Sequence, residues 1–332
     1  MRRSASIEND QIRVTVVYGG GHIAEILDKR TGVNPLWVPP WPSIDPSDYD
    51  PADPKYGAGA EAKLLAGILG HNLCLDLFGG PSPEEAVAGI TVHGEASVVP
   101  YDIAQAGGRL TMSATLPIAG LKFERRIELI GRSVHFHETV ENLSALDRPI
   151  AWTQHVTLGP PFIERGVTRF AIPATRSKVY EHDFGAADYL KTGAEFDWPH
   201  APRRDGGTAD LRVYTDAPVS GAFTTHLLDP ASEDAYFTAT NLGLTFGYYW
   251  KRADFPWIGI WEENHSRTNP PWNGATLTRG MEFGVSPMPE SRREMIDRGS
   301  LFGVPGYRWL PARGVLTAEY SATFSPGPGT SD

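Results

Sequence analysis

The clearest pattern in this sequence is an alternation of apolar and polar residues between positions 108 and 158. It falls into four runs, with apolar members such as Met112, Phe123, Phe136 and Val156. Because successive side chains of a β-strand point to opposite faces, this alternation predicts four strands. Short turns separate the runs, so we expect consecutive strands to pair as an antiparallel meander.

Further strand-like runs lie on both sides of this segment. Those that precede it cover residues 12–16 and 22–29, and those that follow it cover residues 210–214, 235–240, 242–250, 257–261, 276–285 and 314–324. The sequence has no clear internal repeat, and no change of composition marks a linker between domains. The pattern therefore predicts an all-β, mostly antiparallel fold, with a single domain over residues 1–325 and a flexible tail over residues 326–332.

The glycine run Gly19-Gly20-Gly21 follows the first strand. With Ala24 it matches the spacing of a dinucleotide-binding loop, but too few residues precede Thr31-Gly32 for the helix that such a loop requires. A hairpin is therefore predicted. Residues 61–69 have enough Ala and Leu for a short helix. Residues 38–57 and 180–208 are predicted to be long loops, which in compact domains are usually functional or disordered.

The charge and composition of the chain limit the classes of binding partner and the compartment that we expect. The net charge is -10 and Lys and Arg form no cluster, which argues against nucleic acid or an anionic membrane as a partner. Cys74 is the only cysteine, so no internal disulfide is expected and a reducing compartment is favoured. No signal peptide and no apolar run of roughly 20 residues is present. These features predict a cytoplasmic location.

The first candidate for chemistry is the carboxylate of Glu282, in the run from Thr276 to Val285. Alternation places Glu282 opposite to Met281 and Phe283, between Gly280 and Gly284. Glycines inside a strand often mark the close approach of another group, which suggests a ligand above this strand. Alternation also places His155 on the polar face of the fourth meander strand. The two side chains could act as an acid and a base.

Other residue groups suggest different sites. His135, His137 and Glu141 have the spacing with which cupin barrels hold a metal, although no second ligand segment follows. Trp257, Trp261 and Glu263 share one strand face and could offer stacking rings and a carboxylate to a sugar. His71 and His93 lie beside turn residues and could contact substrate hydroxyls. A solvated strand face explains the cupin-like spacing more simply than a metal site, and core tryptophans and turn caps explain the other groups as simply. The acidic residues also permit a pair of glycosidase carboxylates, although no spacing singles one out.

Several short motifs occur in an order that resembles the aldose 1-epimerase, or galactose mutarotase-like, superfamily over most of the chain. The motifs are Leu27-Asp28-Lys29-Arg30-Thr31-Gly32 before Leu36-Trp37, His93-Gly94, Val140-Glu141-Asn142-Leu143, Trp152-Thr153-Gln154-His155, Pro256-Trp257 to Trp261, the strand of Glu282, and the closing segment from Gly306-Tyr307 to Tyr320. The chain departs from the pattern at Asn72-Leu73, where members often have an Asn-Arg pair.

The resemblance implies a β-supersandwich that interconverts the α and β anomers of an aldose, or of an aldose derivative, without cofactor or metal. By position, Glu282 is expected to be the base that removes the proton from the anomeric hydroxyl, and His155 the acid that protonates the ring oxygen. His93 is expected to bind the sugar. Further sugar contacts are assigned to His71, Asn72, Asp183, Trp257, Trp261, Glu263 and Arg279. The expected partner is a small-molecule carbohydrate, and self-association as a homodimer is compatible with the sequence.

Ordinary pKa values fit these roles. A glutamate with a pKa of about 4.3 is ionised at neutral pH, and the carboxylate is expected to raise the pKa of His155 above about 6.5. The alternative function on the same fold is non-catalytic carbohydrate binding.

Overall fold

The computed structural model of the protein describes residues 2–183, 185 and 187–328. Two large antiparallel sheets contain most of the strands. The large sheet has 11 strands and the other has eight, and two small hairpins complete the set.

The bounds of the elements are as follows. The strands are β1 (Ser4–Glu8), β2 (Ile12–Val17), β3 (Ile23–Asp28), β4 (His71–Asp76), β5 (Asp102–Ala106), β6 (Arg109–Leu116), β7 (Leu121–Ile130), β8 (Ser133–Asn142), β9 (Arg148–Leu158), β10 (Arg169–Ala171), β11 (Ala174–Val179), β12 (Glu195–Asp197), β13 (His200–Pro202), β14 (Thr208–Asp210), β15 (Ser220–Leu228), β16 (Asp234–Asn241), β17 (Leu244–Lys251), β18 (Trp257–Asn264), β19 (Leu277–Gly284), β20 (Ser300–Leu301), β21 (Val304–Pro305), β22 (Arg308–Leu310) and β23 (Val315–Pro326). The helices are α1 (Ala62–Gly67), α2 (Pro83–Val87) and α3 (Arg292–Arg298).

The strand order of the large sheet is β1-β2-β3-β4-β9-β19-β18-β15-β11-β12, with β22 added beside β9. The strand order of the eight-stranded sheet is β10-β16-β17-β23-β8-β7-β6-β5.

The meander predicted from the sequence is confirmed for three of its four strands. β6, β7 and β8 pair side by side. The prediction is wrong for β9, which leaves β8 and enters the large sheet between β4 and β19. β9 is buried on both faces over most of its length, whereas β8 exposes one face to solvent. A strand buried on both faces is stable only inside a sheet that is covered on both sides.

The two sheets pack face to face around the main core. Residues such as Val14, Trp152 and Phe283 from the large sheet meet Phe123 and Phe136 from the eight-stranded sheet. The outer face of the large sheet is also covered, by a second apolar cluster. This outer cluster contains Trp37, Trp41, Phe223, Trp257, Trp261 and Trp272, together with residues of α1 and α3. The large sheet is therefore buried on both faces.

The connecting segments follow the predictions in part. The glycine run forms the β2–β3 hairpin, and α1 lies within the predicted helix. Residues 38–57 have only two 3₁₀ turns, Pro46–Asp48 and Pro54–Tyr56. Other predictions were inaccurate, since β12 and β13 lie within the expected loop 180–208, and β14 ends at Asp210 where a strand was expected to begin. Several strands were not predicted, among them β1, β4, β5, β10, β11 and β15.

The predicted C-terminal tail begins at the last residue of β23, and residues 329–332 lie outside the described residues. Among the described residues, no helix is both long and apolar enough to cross a bilayer.

A buried ion pair lies between the sheets. Arg125 Nε donates to Glu138 Oε1 at 2.7 Å, and both side chains are almost fully buried. The Glu138 carboxylate also accepts from Trp152 Nε1 at 3.0 Å, Gln154 Nε2 at 2.6 Å and the Tyr320 hydroxyl at 2.6 Å. One carboxylate thus links β8 to both β9 and β23.

Replacing Arg125 with Met is expected to lower the free energy of unfolding by about 3–5 kcal/mol, because it leaves the Glu138 carboxylate buried without a cation. The matched control is Arg126→Met on the exposed face of the same strand, with an expected cost of about 0–1 kcal/mol. Urea unfolding followed by tryptophan fluorescence measures both. Equal costs for the two variants would contradict the assignment.

Candidate active site

Glu282 and His155 face each other across two central strands of the large sheet. Glu282 of β19 is the register partner of His155 of β9, so the two side chains leave the same face of the sheet. His155 Nε2 lies 3.1 Å from Glu282 Oε1, within hydrogen-bond distance. His155 is 5% exposed and Glu282 is 3% exposed. The fold therefore brings the two residues singled out by the sequence into direct contact.

The glycines that flank Glu282 have a different cause from the one predicted. A Cβ atom at Gly280 would collide with the carboxylate of Glu282 itself, and one at Gly284 would collide with Thr153. Gly280 thus leaves room for the Glu282 side chain, and Gly284 allows the close approach of β9. The prediction that these glycines make room for a ligand is wrong, because atoms of the protein occupy that space.

A side-chain hydroxyl and a backbone carbonyl fix the imidazoles of the site. His155 Nδ1 lies 3.0 Å from Thr157 Oγ1, so the hydroxyl holds the ring from the side opposite to Glu282. The His93 ring centroid is 4.9 Å from that of His155, and His93 Nδ1 lies 2.6 Å from the Phe78 carbonyl oxygen. Because a carbonyl only accepts, His93 Nδ1 carries the hydrogen and Nε2 of the neutral ring is an acceptor.

Burial reverses the protonation expected from the sequence. Burial raises the pKa of Glu282 to about 8. Burial, with His93 as a smaller cause, lowers the pKa of His155 well below its ordinary value. Burial also lowers the pKa of His93 to about 4. The expectations of an ionised Glu282 and of a raised pKa for His155 are wrong, because withdrawal from water penalises both charged forms.

The pair lies at a cavity of about 330 Å³ on the outer face of the large sheet. Five of the predicted site residues line it, namely His93, His155, Asp183, Trp261 and Glu282. The Asp183 carboxylate is largely exposed and pairs with Arg204, which places it at the rim of the cavity. A cavity of this size, with aromatic walls and a few polar groups, is typical of a small-molecule site.

Two predicted residues lie on the opposite face of the sheet. His71 lies in the core between the sheets, where its ring nitrogens are 3.1 Å from the Tyr248 hydroxyl and 3.0 Å from Gln154 Oε1. Arg279 pairs with Glu262 at 2.8 Å and is fully buried on that same side. The assignment of either residue to sugar contact is not supported by these positions, since the sheet separates both from the cavity.

Three more predicted residues lie near the site without lining the cavity. Trp257 is on the correct face, but its indole donates to the Pro305 carbonyl within the outer cluster. Asn72 is the register partner of His155, and its amide donates to Ser97 Oγ at 3.2 Å. Glu263 accepts hydrogen bonds from the backbone of Ser266 and Arg267, and so holds the turn after β18.

The three residues of the cupin-like alternative lie on the outer face of the eight-stranded sheet, whereas the cavity lies on the outer face of the large sheet. His135 and His137 are register partners of Ser321 and Glu319 on β23, and Glu141 is the partner of Val315. Within the described part of the chain, no group of three or more His, Cys, Asp or Glu side chains is arranged to hold a metal ion.

Several residues of the cavity wall were not predicted from the sequence. They are Glu61, Tyr180, His182, Phe223, Arg267 and Trp272. Arg267 and Trp272 lie in the segment between β18 and β19, only a few residues beyond the tryptophans that the sequence analysis selected. A tryptophan directly after Pro270-Pro271, in an otherwise polar connection, is the signal that could have revealed this wall.

No protein-family model matches the sequence, and no curated protein is detectably similar to it. Solved structures, in contrast, are similar over nearly the whole chain. A provisionally named aldose 1-epimerase from Klebsiella pneumoniae is 15% identical, with a TM-score of 0.68 over 95% of this chain and 77% of the other. A galactose mutarotase related enzyme from Lactobacillus acidophilus is 14% identical, with a TM-score of 0.62 over 99% and 100%.

A galactose mutarotase-like protein from Clostridium acetobutylicum is also 14% identical, with a TM-score of 0.62 over 97% of this chain and 94% of the other. The chain has the galactose mutarotase-like fold. The fold predicted from the sequence is therefore confirmed. In this galactose mutarotase-like structure the contact between His155 and Glu282 lies at the centre of the large sheet, beside the cavity.

Proposed function

We propose that this protein is an aldose 1-epimerase-type enzyme, which interconverts the α and β anomers of an aldose or an aldose derivative. The observation that carries the proposal is the 3.1 Å contact between His155 Nε2 and Glu282 Oε1 at the cavity. Mutarotation needs one group that exchanges a proton with O1 and another that exchanges a proton with the ring oxygen. Both oxygens are attached to the anomeric carbon, so two adjacent side chains can reach them together.

The proton count of the pair agrees with this reaction. With the pKa of Glu282 raised to about 8 and that of His155 lowered, the pair holds one proton at neutral pH. In ring opening, Glu282 as carboxylate takes the O1 proton while the His155 imidazolium protonates the ring oxygen. The aldehyde then rotates about the C1–C2 bond. In ring closure, the protonated Glu282 returns a proton to O1 and neutral His155 takes one from the C5 hydroxyl.

The form of the pair that opens the sugar ring (the opening form) and the form that closes it (the closing form) therefore differ only in which residue holds the proton. The free protein favours the closing form, with the proton on Glu282 and both residues neutral, because burial disfavours charge. Sugar hydroxyls that replace the direct contact can stabilise the charged form. Each positioned proton donor or acceptor typically contributes about 10²–10⁴-fold to the rate.

The test is polarimetry of a panel of pure α-aldoses, with and without protein. Faster approach to the equilibrium rotation for at least one sugar is expected. Calorimetry on the same panel separates the alternative function. Sugar binding without any acceleration would replace the proposal with a carbohydrate-binding protein on this fold.

The pH dependence follows from the raised pKa of Glu282. Above about pH 8 the pair loses its single proton, so we expect kcat/KM to fall about tenfold for each further pH unit. Between about pH 6 and 7.5 little change is expected, since the pKa of His155 lies well below the ordinary value of about 6.5. Polarimetric rates, corrected for the spontaneous reaction at each pH, measure the profile. A rate that still rises through pH 9 would refute the one-proton pair.

A further inference from the structure

One wall of the cavity carries a cation that the acid-base chemistry does not use. Among the described residues that line the cavity, Arg267 is the only lysine or arginine. Its guanidinium lies 4.7 Å from the ring centroid of Trp272 and 5.6 Å from that of Trp261. A planar guanidinium stacked against indole rings is pre-organised, so it loses little conformational freedom when it binds a ligand.

The turn that carries Arg267 is fixed by one buried carboxylate. Glu263, which is 1% exposed, accepts from the backbone N–H of Ser266 at 2.7 Å and of Arg267 at 3.1 Å. Its second oxygen accepts from the Ser266 hydroxyl at 2.6 Å and lies 3.5 Å from Arg267 Nε. Glu263 thus holds both the backbone and the guanidinium Nε of Arg267 in place.

The surrounding charges decide what this cation can bind. Glu61 Oε2 lies 3.9 Å from Arg267 Nη1, so two carboxylates stand beside one guanidinium. Asp183, which pairs with Arg204, adds a further carboxylate at the rim of the cavity, whereas Glu282 holds its proton at neutral pH and adds no charge. A ligand anion would meet this excess of acidic groups, whereas an uncharged hydroxyl can accept a hydrogen bond without that repulsion.

A second donor belongs to the same wall. Trp272 lines the cavity and is 2% exposed, and among the described residues its indole Nε1 has no hydrogen-bond partner. A buried donor without an acceptor is unfavourable, so a ligand oxygen that reaches this N–H on binding would stabilise the complex. Both donors therefore favour a ligand that presents neutral oxygen atoms.

We propose that Arg267 and Trp272 form the subsite that binds sugar hydroxyls and that selects an uncharged aldose over its phosphorylated or carboxylated forms. This inference rests on the proposed function and names its specificity-determining residues. Neither side chain exchanges a proton with the sugar, so the subsite acts on binding and leaves the chemical step to His155 and Glu282.

The experiment compares Arg267→Gln, Arg267→Lys and Trp272→Phe with the wild-type protein, on the aldose that the panel identifies. We expect KM to rise about 10- to 100-fold in Arg267→Gln and about 2- to 10-fold in Trp272→Phe, with kcat changed less than about threefold. Arg267→Lys keeps the charge but loses the planar donor set, and is expected to fall between wild type and Arg267→Gln. Arg13→Gln and Trp309→Phe are exposed controls that should leave KM unchanged.

The same proteins are then assayed with the 6-phosphate of that aldose. We expect the wild-type kcat/KM for the phosphate ester to be at least about tenfold lower than for the parent sugar. Preference for the ester, or an unchanged KM in both Arg267→Gln and Trp272→Phe, would overturn the inference. If no aldose mutarotates faster with the protein, the proposed function fails, and calorimetric Kd values of the same variants for a bound aldose still decide the inference.

Discussion

Glu282→Gln is expected to reduce the kcat of aldose mutarotation by about 10²–10⁴-fold, with little change in sugar affinity. Glutamine has nearly the same shape and can still contact His155, but its amide cannot take the proton from O1. The measurement is polarimetry at pH 7 with calorimetric Kd on the same sample. The control is Glu141→Gln, which removes a carboxylate from the outer face of the eight-stranded sheet and should leave kcat unchanged.

Glu282→Gln also changes how the free energy of unfolding depends on pH. The folded protein holds the Glu282 proton up to about pH 8, whereas the unfolded chain releases it near about pH 4.3. The contribution of Glu282 to stability is therefore complete below about pH 4.3 and is lost as the pH rises from there to about 8. Glu282→Gln lacks this loss, so its stability relative to wild type should increase between pH 5 and pH 9 in urea unfolding. A wild-type kcat in this variant would show that the base was misassigned.

His155→Gln is expected to cause a comparable loss, about 10²–10⁴-fold in kcat, because no other group then exchanges a proton with the ring oxygen. His93 cannot replace it, since its Nδ1 is bound to the Phe78 carbonyl and burial lowers its pKa to about 4. The control is His135→Gln on the exposed face of β8.

The double variant Glu282→Gln/His155→Gln tests whether the two residues act as one unit. If Glu282 and His155 share one proton, the variant lacking both should be about as slow as the slower single variant, because each loss already disables the pair. Multiplicative losses in the double variant would indicate two independent roles and would contradict the one-proton mechanism.

Much of the site could be predicted because side-chain alternation is a local property. Parity alone placed Glu282 opposite to Met281 and Phe283, and it placed His155 opposite to Trp152 and Val156; both placements are confirmed. The same rule could have excluded two assignments. His71 shares its face with Leu73, and Arg279 shares its face with Met281, so alternation already assigned both to the core side.

The remaining features depend on contacts that sequence spacing does not contain. The move of β9 into the large sheet is decided by burial on both faces, which short turns do not reveal. The protonation of Glu282 and His155 depends on the cover over the outer face, which Arg267 and Trp272 help to form from a connecting segment. The glycines beside Glu282 likewise reflect close approaches of the protein's own atoms. Each is a tertiary effect of residues distant in sequence.

The most direct measurement of the central claim is the rate at which a pure α-aldose reaches anomeric equilibrium, followed by polarimetry with equal concentrations of wild type and Glu282→Gln. The account predicts acceleration by the wild type for at least one aldose of the panel, and a rate close to the spontaneous one for the variant. Equal rates with both proteins, whether fast or slow, would contradict the claim that His155 and Glu282 form an anomer-interconverting pair.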